Sequence, residues 1–119
     1  MQILNKNCWR QAKRAMIFLA LVMFSSTALG EPVWIDVRSK AEYERTHIDG
    51  DLLIAHTDVG KRVAEMFPDK ETEIHLYCAR GGRAAVAKNA LEALGYKNVT
   101  NEGGIEDALK KRDLSATSN

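Results

Sequence analysis

Residues 74–83 read Ile74-His75-Leu76-Tyr77-Cys78-Ala79-Arg80-Gly81-Gly82-Arg83, and an alanine-rich stretch with helical spacing follows. A short apolar run delivers a cysteine to a glycine-containing loop, and the loop opens a helix. At a helix N-terminus the unpaired N–H groups and the macrodipole favour negative charge. Arg80 and Arg83 add positive charge. Such surroundings lower a thiol pKa and make a thiolate nucleophile available near neutral pH. The stretch therefore points to cysteine chemistry on an anionic substrate.

Upstream of it, Val33-Trp34-Ile35-Asp36-Val37 reads as a buried strand, with Trp34 in the core. Ser39-Lys40-Ala41-Glu42 fits a capping box and predicts a short helix to about Arg45. His47-Ile48-Asp49-Gly50 is a turn, and Leu52-Leu53-Ile54-Ala55 a second short strand. Thr57-Asp58 caps a helix with Val59, Val63 and Met66 at helical spacing, stopped by Pro68. Downstream, Val86, Ala87, Ala90, Leu91 and Leu94 form the expected apolar face of the helix after the loop, and Gly95 is its C-terminal glycine. Asn98-Val99-Thr100 is a last strand, Gly103-Gly104 a turn, and Ile105 to Lys111 a final helix. Alternating strands and helices predict an α/β domain with a mainly parallel central sheet flanked by helices on both faces. In such sheets sites lie beyond the carboxyl ends of the strands, which is where Cys78 falls.

The 119 residues suffice for one small domain. Residues 1–30 carry Lys6, Arg10, Lys13 and Arg14 and no acid, then the apolar run Ala15 to Phe24, then small and polar residues ending Ala28-Leu29-Gly30. This is the pattern of an export signal cleaved after Gly30, which places the protein in the periplasm. The alternative is a retained membrane anchor, for which the run is short unless Ser25 to Gly30 join it. The organisation expected is signal 1–30, domain 31–112 and a polar, frayed tail 113–119. Cys8 leaves with the signal, so the mature chain keeps one thiol, Cys78, and no internal disulfide. The remaining chain is net acidic, and no basic stripe suits a nucleic acid. The spacing of His47, His56 and His75 matches no zinc site. His75 shares its strand face with Tyr77 and cannot be assigned as a catalytic base.

Gly81 and Gly82 permit positive φ and let the backbone of Ala79 to Arg83 curl closely around one sulfur as an anion-binding nest. A thiolate there can attack the outer sulfur of a sulfane donor such as thiosulfate, become a persulfide, and pass that sulfur to an acceptor, with no metal or organic cofactor. Arg80, near mid-loop, can clamp a sulfonate-like group. Arg83, at the loop–helix junction, can brace the loop or reach an anion. The plainer alternatives are a buried inert cysteine and solvated surface arginines. Asp36 and Arg38 lie near the site, and the structural reading of them, a pair tying down the first strand, is preferred to a functional one.

Ile35-Asp36-Val37-Arg38, Glu42-Tyr43, His47-Ile48-Asp49-Gly50, the loop Cys78 to Arg83 and Gly103-Gly104, in this order and spacing, resemble the single-domain rhodanese family of sulfurtransferases over about residues 33–110. The resemblance implies thiosulfate:cyanide sulfurtransferase activity with the persulfide on Cys78. The chain departs from the family pattern at Asp51, where alanine is common, and at Asp107-Ala108-Leu109, where a tryptophan is common. Protein tyrosine phosphatases also set a cysteine in a loop before a helix, but with five residues between cysteine and arginine. Here four, Ala79 to Gly82, separate Cys78 from Arg83, so a phosphatase or arsenate reductase is the weaker reading. A sulfur carrier without turnover, or a stress-related binding module, uses the same loop and stays open. Donor, acceptor and oligomeric state are not fixed by the sequence.

Overall fold

A computed structural model describes residues 30–119. The export-signal reading falls outside these residues apart from Gly30. In chain order the elements are β1 (Val33–Asp36), α1 (Lys40–Arg45), β2 (Thr46–His47), β3 (Leu52–Leu53), α2 (Val59–Met66), β4 (Glu73–Cys78), α3 (Gly82–Ala93), β5 (Asn98–Gly104), α4 (Ile105–Arg112) and β6 (Thr117–Ser118). Four strands form a parallel sheet in the order β3-β1-β4-β5, and β2 pairs with β6 in a separate antiparallel ribbon.

Side chains alternate across β4, so the sheet feeds two cores. Ile74, Leu76 and Cys78 join Ile35, Val37, Val59, Val63, Ala84, Ala87 and Leu91 on the face covered by α2 and α3. Tyr77 joins Ile48 and Ala108 on the face covered by α4, with Trp34, Ile105 and Leu109 packed against them. Full burial of each large aliphatic side chain contributes about 1.5–3 kcal/mol. Helices on both faces explain why β4 is buried along nearly its whole length.

Local chemistry sets the element ends. Ser39 Oγ accepts from the Glu42 N–H at 3.3 Å, and Glu42 accepts from the Ser39 N–H at 3.0 Å, completing the capping box of α1. Asp58 precedes α2 but gives no side-chain cap. Gly95, at φ +97°, takes the left-handed conformation that ends α3.

Three expectations are corrected. The buried face of α3 is Ala84, Ala87 and Leu91, while Val86 and Leu94 are exposed. Ala84 and Ala87 face the sheet in the first half of the helix and Leu91 in the second, while Val86 and Leu94 turn outward. Gly103-Gly104 is no separate turn: both residues end β5 and lead directly into α4. In place of a frayed tail, residues 117 and 118 form β6, with Thr46 opposite Ser118 and His47 opposite Thr117. Thr117 Oγ1 donates to Asp49 at 2.6 Å, and the Asn119 N–H donates to the Arg45 carbonyl at 3.3 Å. Composition alone reported the polarity of this segment and missed its partners.

Candidate active site

Cys78 ends β4, 1% exposed, and is the free cysteine of the described residues. The chain then turns through Ala79 and Arg80 to Gly81, whose φ of +101° precedes α3. The Gly81 N–H donates to Cys78 Sγ at 2.9 Å. Burial pushes the thiol pKa up. The backbone N–H groups of Ala84, Arg80, Gly81 and Arg83 act the other way and leave it below its ordinary value. The loop thus favours the anion at a sulfur largely withdrawn from water.

The floor of the loop is glycine by necessity. A Cβ on Gly104 would fall on the Ala79 carbonyl oxygen. A Cβ on Gly81 would lie 3.2 Å from Gly103 Cα. The strands reach this crossing through an irregularity. Leu76 faces Asn101 and Cys78 faces Gly104, so β5 carries one more residue than β4 between the two pairs.

Arg83 makes a two-pronged contact, with Nη1 and Nη2 donating to Glu42 Oε2 and Oε1 at 2.6 and 2.9 Å. The same carboxylate caps α1 through Ser39. Hydrogen bonds from Arg83 first, then from the Ser39 backbone, hold the Glu42 carboxyl well below the usual carboxylate range. Through this contact Arg83 links the loop to α1. Arg80, by contrast, is exposed in mid-loop and has no ion-pair partner among the described residues. Ala79 and Gly82 are exposed on the same loop.

Asp36 and Arg38 lie at the carboxyl end of β1 and are 0% and 4% exposed. Arg38 Nε and Nη2 donate to the Asp36 carboxylate at 2.8 to 3.1 Å, and Nη2 also donates to the Thr46 carbonyl at 2.7 Å. The pair ties β1 to β2, and neither residue contacts Cys78 through a side-chain hydrogen bond.

His75 lies on the opposite face of the sheet from Cys78. It stacks on Trp34, with ring centroids 4.3 Å apart, between Glu102 at 2.7 Å and Glu73 at 2.8 Å. Asp51 is also on that face. It accepts from Tyr77 Oη at 2.7 Å and from both Nη atoms of Arg112 at 2.7 and 3.0 Å. Burial first, then the hydrogen bond to Asp51, pushes the Tyr77 phenol far above its ordinary pKa.

Two supports of the site escaped the reading of the sequence. Glu42 was legible as a helix cap and as part of the family pattern, but not as the partner of Arg83. Asn101 sits between the loop and Gly103, and its one signal was a polar residue in phase with buried Val99 on a strand.

A family model described as the rhodanese-like domain matches residues 25–111. Over 95 residues the chain is 37% identical to the thiosulfate sulfurtransferase PspE of Escherichia coli (strain K12), covering 80% of this chain and 90% of that protein. It is 36% identical over 67 residues to the putative sulfur carrier protein YrkF of Bacillus subtilis (strain 168), covering 56% of this chain and 35% of that protein. A solved structure described as a rhodanese with anions from E. coli superposes with a TM-score of 0.66 at 31% identity, covering 75% of this chain and 100% of that one. A parallel sheet that ends in a cysteine loop, a matching family model and a relative aligned over most of both chains agree, and this chain belongs to the rhodanese-like domain family.

Proposed function

We propose that this chain is a sulfurtransferase that carries a sulfane sulfur atom from thiosulfate to a thiophilic acceptor, cyanide or a thiol, through a persulfide on Cys78. The observation that carries the reading is the Cys78 sulfur ringed by loop amides, with its thiol pKa held below the ordinary value. The Cys78 thiolate attacks the outer sulfur of thiosulfate. A sulfur–sulfur bond forms to Cys78, the bond to the sulfonate sulfur breaks, and sulfite leaves with the electron pair. The persulfide anion keeps the donors offered by Ala79 to Arg83. The acceptor then attacks the outer sulfur, and Cys78 departs as thiolate. With cyanide the product is thiocyanate. Arg80 supplies the forked donor for the sulfonate oxygens, and Arg83 holds the loop. Asp36 and Arg38 act as structural supports beside the site. The reaction as written uses no cofactor. The reading of residues 1–30 as an export signal places it in the periplasm.

The similarity to a putative sulfur carrier favours a second reading, in which the persulfide is handed to a protein without turnover on small acceptors. Intact mass of the exported protein before and after thiosulfate tests both. Expected are a chain beginning at Glu31, a gain of one sulfur atom, its loss on adding cyanide, and repeated release of thiocyanate. Cys78→Ser should abolish the gain and leave the unfolding midpoint nearly unchanged. Sulfur gain without turnover on any small acceptor would favour the carrier. No gain at all would remove sulfur chemistry, and hydrolysis of an aryl phosphate would move the loop to the phosphatase class.

A further inference from the structure

The amides around Cys78 come from a loop rich in glycine and from the first turn of α3. Glycine-rich backbone does not hold a single conformation unaided. Something must fix it, and Glu42 fixes only the far side, through Arg83. On the near side the fixed point is Gly81. Its N–H donates to the sulfur at 2.9 Å, and its carbonyl accepts the first hydrogen bond of α3, from the Ala85 N–H at 3.0 Å. That carbonyl also accepts from Asn101 Nδ2 at 3.0 Å. Asn101 Oδ1 in turn accepts from the Gly103 N–H at 2.9 Å. The orientation of the amide is unambiguous, because a carbonyl can only accept and a backbone N–H can only donate. Asn101 reaches this position because it pairs opposite Leu76, two residues on from the Ile74–Val99 pair, and so points to the α3 face of the sheet. The extra residue of β5 just beyond it then brings Gly103 and Gly104 under the loop.

We propose that Asn101 is a positioning residue for the chemistry of Cys78. It anchors the N-terminus of α3 to β5, so that the N–H groups of Gly81, Arg83 and Ala84 stay aimed at the sulfur. The inference rests on the reading of Cys78 as the sulfur-accepting thiolate, but its test does not require sulfur transfer. The experiment is the pH dependence of Cys78 alkylation by iodoacetamide in wild type, Asn101→Leu and Asn101→Ala, with circular dichroism to follow the fold. Leucine keeps the size and loses both hydrogen bonds, and alanine cannot collide. The expected result is a native spectrum with the alkylation midpoint raised by about one pH unit, which is a tenfold smaller thiolate fraction at pH values well below the wild-type midpoint. A wild-type midpoint in either folded variant overturns the proposal. A wild-type readout covers the case in which neither variant folds: one Asn101 side-chain amide proton should exchange slowly with solvent, and free exchange of both overturns the anchor. Failure of the wild type to gain sulfur from thiosulfate would sink the proposed function alone and leave the alkylation result standing.

Discussion

At Cys78 two opposed effects meet. Burial disfavours a charged sulfur, while four backbone N–H groups favour it, and the amides prevail. An anion near a helix N-terminus gains about 0.3–1 kcal/mol at exposed sites and up to about 2 where partly buried. Several directed donors are therefore needed to offset the desolvation. The two loop arginines divide the remaining work. Arg83 pairs with Glu42, and Arg80 is the more exposed cation of the loop. Arg80→Ala should raise the Michaelis constant for thiosulfate about tenfold, the scale of one charge-assisted hydrogen bond, with no change in unfolding midpoint. Steady-state kinetics at fixed cyanide checks this, and an unaltered constant would make Arg80 a solvated surface charge.

At the scale of elements, the site is the meeting of α1, the β4–α3 loop and the end of β5. Glu42 serves two of them at once, closing the capping box of α1 and clasping Arg83. Glu42→Gln keeps the shape and removes the charge. At neutral pH it should cost about 1 kcal/mol, discounted for partial exposure, and lower the unfolding midpoint by about 5 °C in a domain of this size. The sign with pH follows from the depressed carboxyl. Its stabilisation is complete above the unfolded-state pKa and is lost as pH falls through the lower folded value. Thermal melts should therefore show the gap between wild type and variant shrinking below about pH 4. A gap that stays constant into strong acid would show that the ion pair contributes nothing.

Across the whole molecule, the two faces of the sheet have separate duties. One holds the thiol and the helix that activates it. The other is closed by α4 through Asp51, Tyr77, Arg112, Trp34 and His75. This network accounts for Asp51, which departs from the residue common in the family: its side chain is 3% exposed and satisfied by Arg112. The β2–β6 ribbon ties the C-terminal residues to the end of α1. Deleting residues 117–119 should lower the unfolding midpoint by about 2–5 °C and speed hydrogen exchange around Thr46 and His47. The Cys78 alkylation midpoint should not move. A shift in that midpoint would show that the ribbon reaches the thiol.

Local rules were enough for the order of the four sheet strands and the four helices, the capping box at Ser39, the end of α3 at Gly95 and the cysteine at a strand end, but not for the β2–β6 ribbon. Each depends on neighbours in the chain: side-chain period, a capping oxygen, a glycine free to take positive φ. Tertiary structure alone decided which face of α3 is buried, that Arg83 meets a carboxylate 41 positions away, that the terminal residues pair with Thr46 and His47, and that Asn101 reaches Gly81. Those choices come from packing and from partners distant in sequence, where the space left by other elements, rather than the chemistry of the segment, selects the contact.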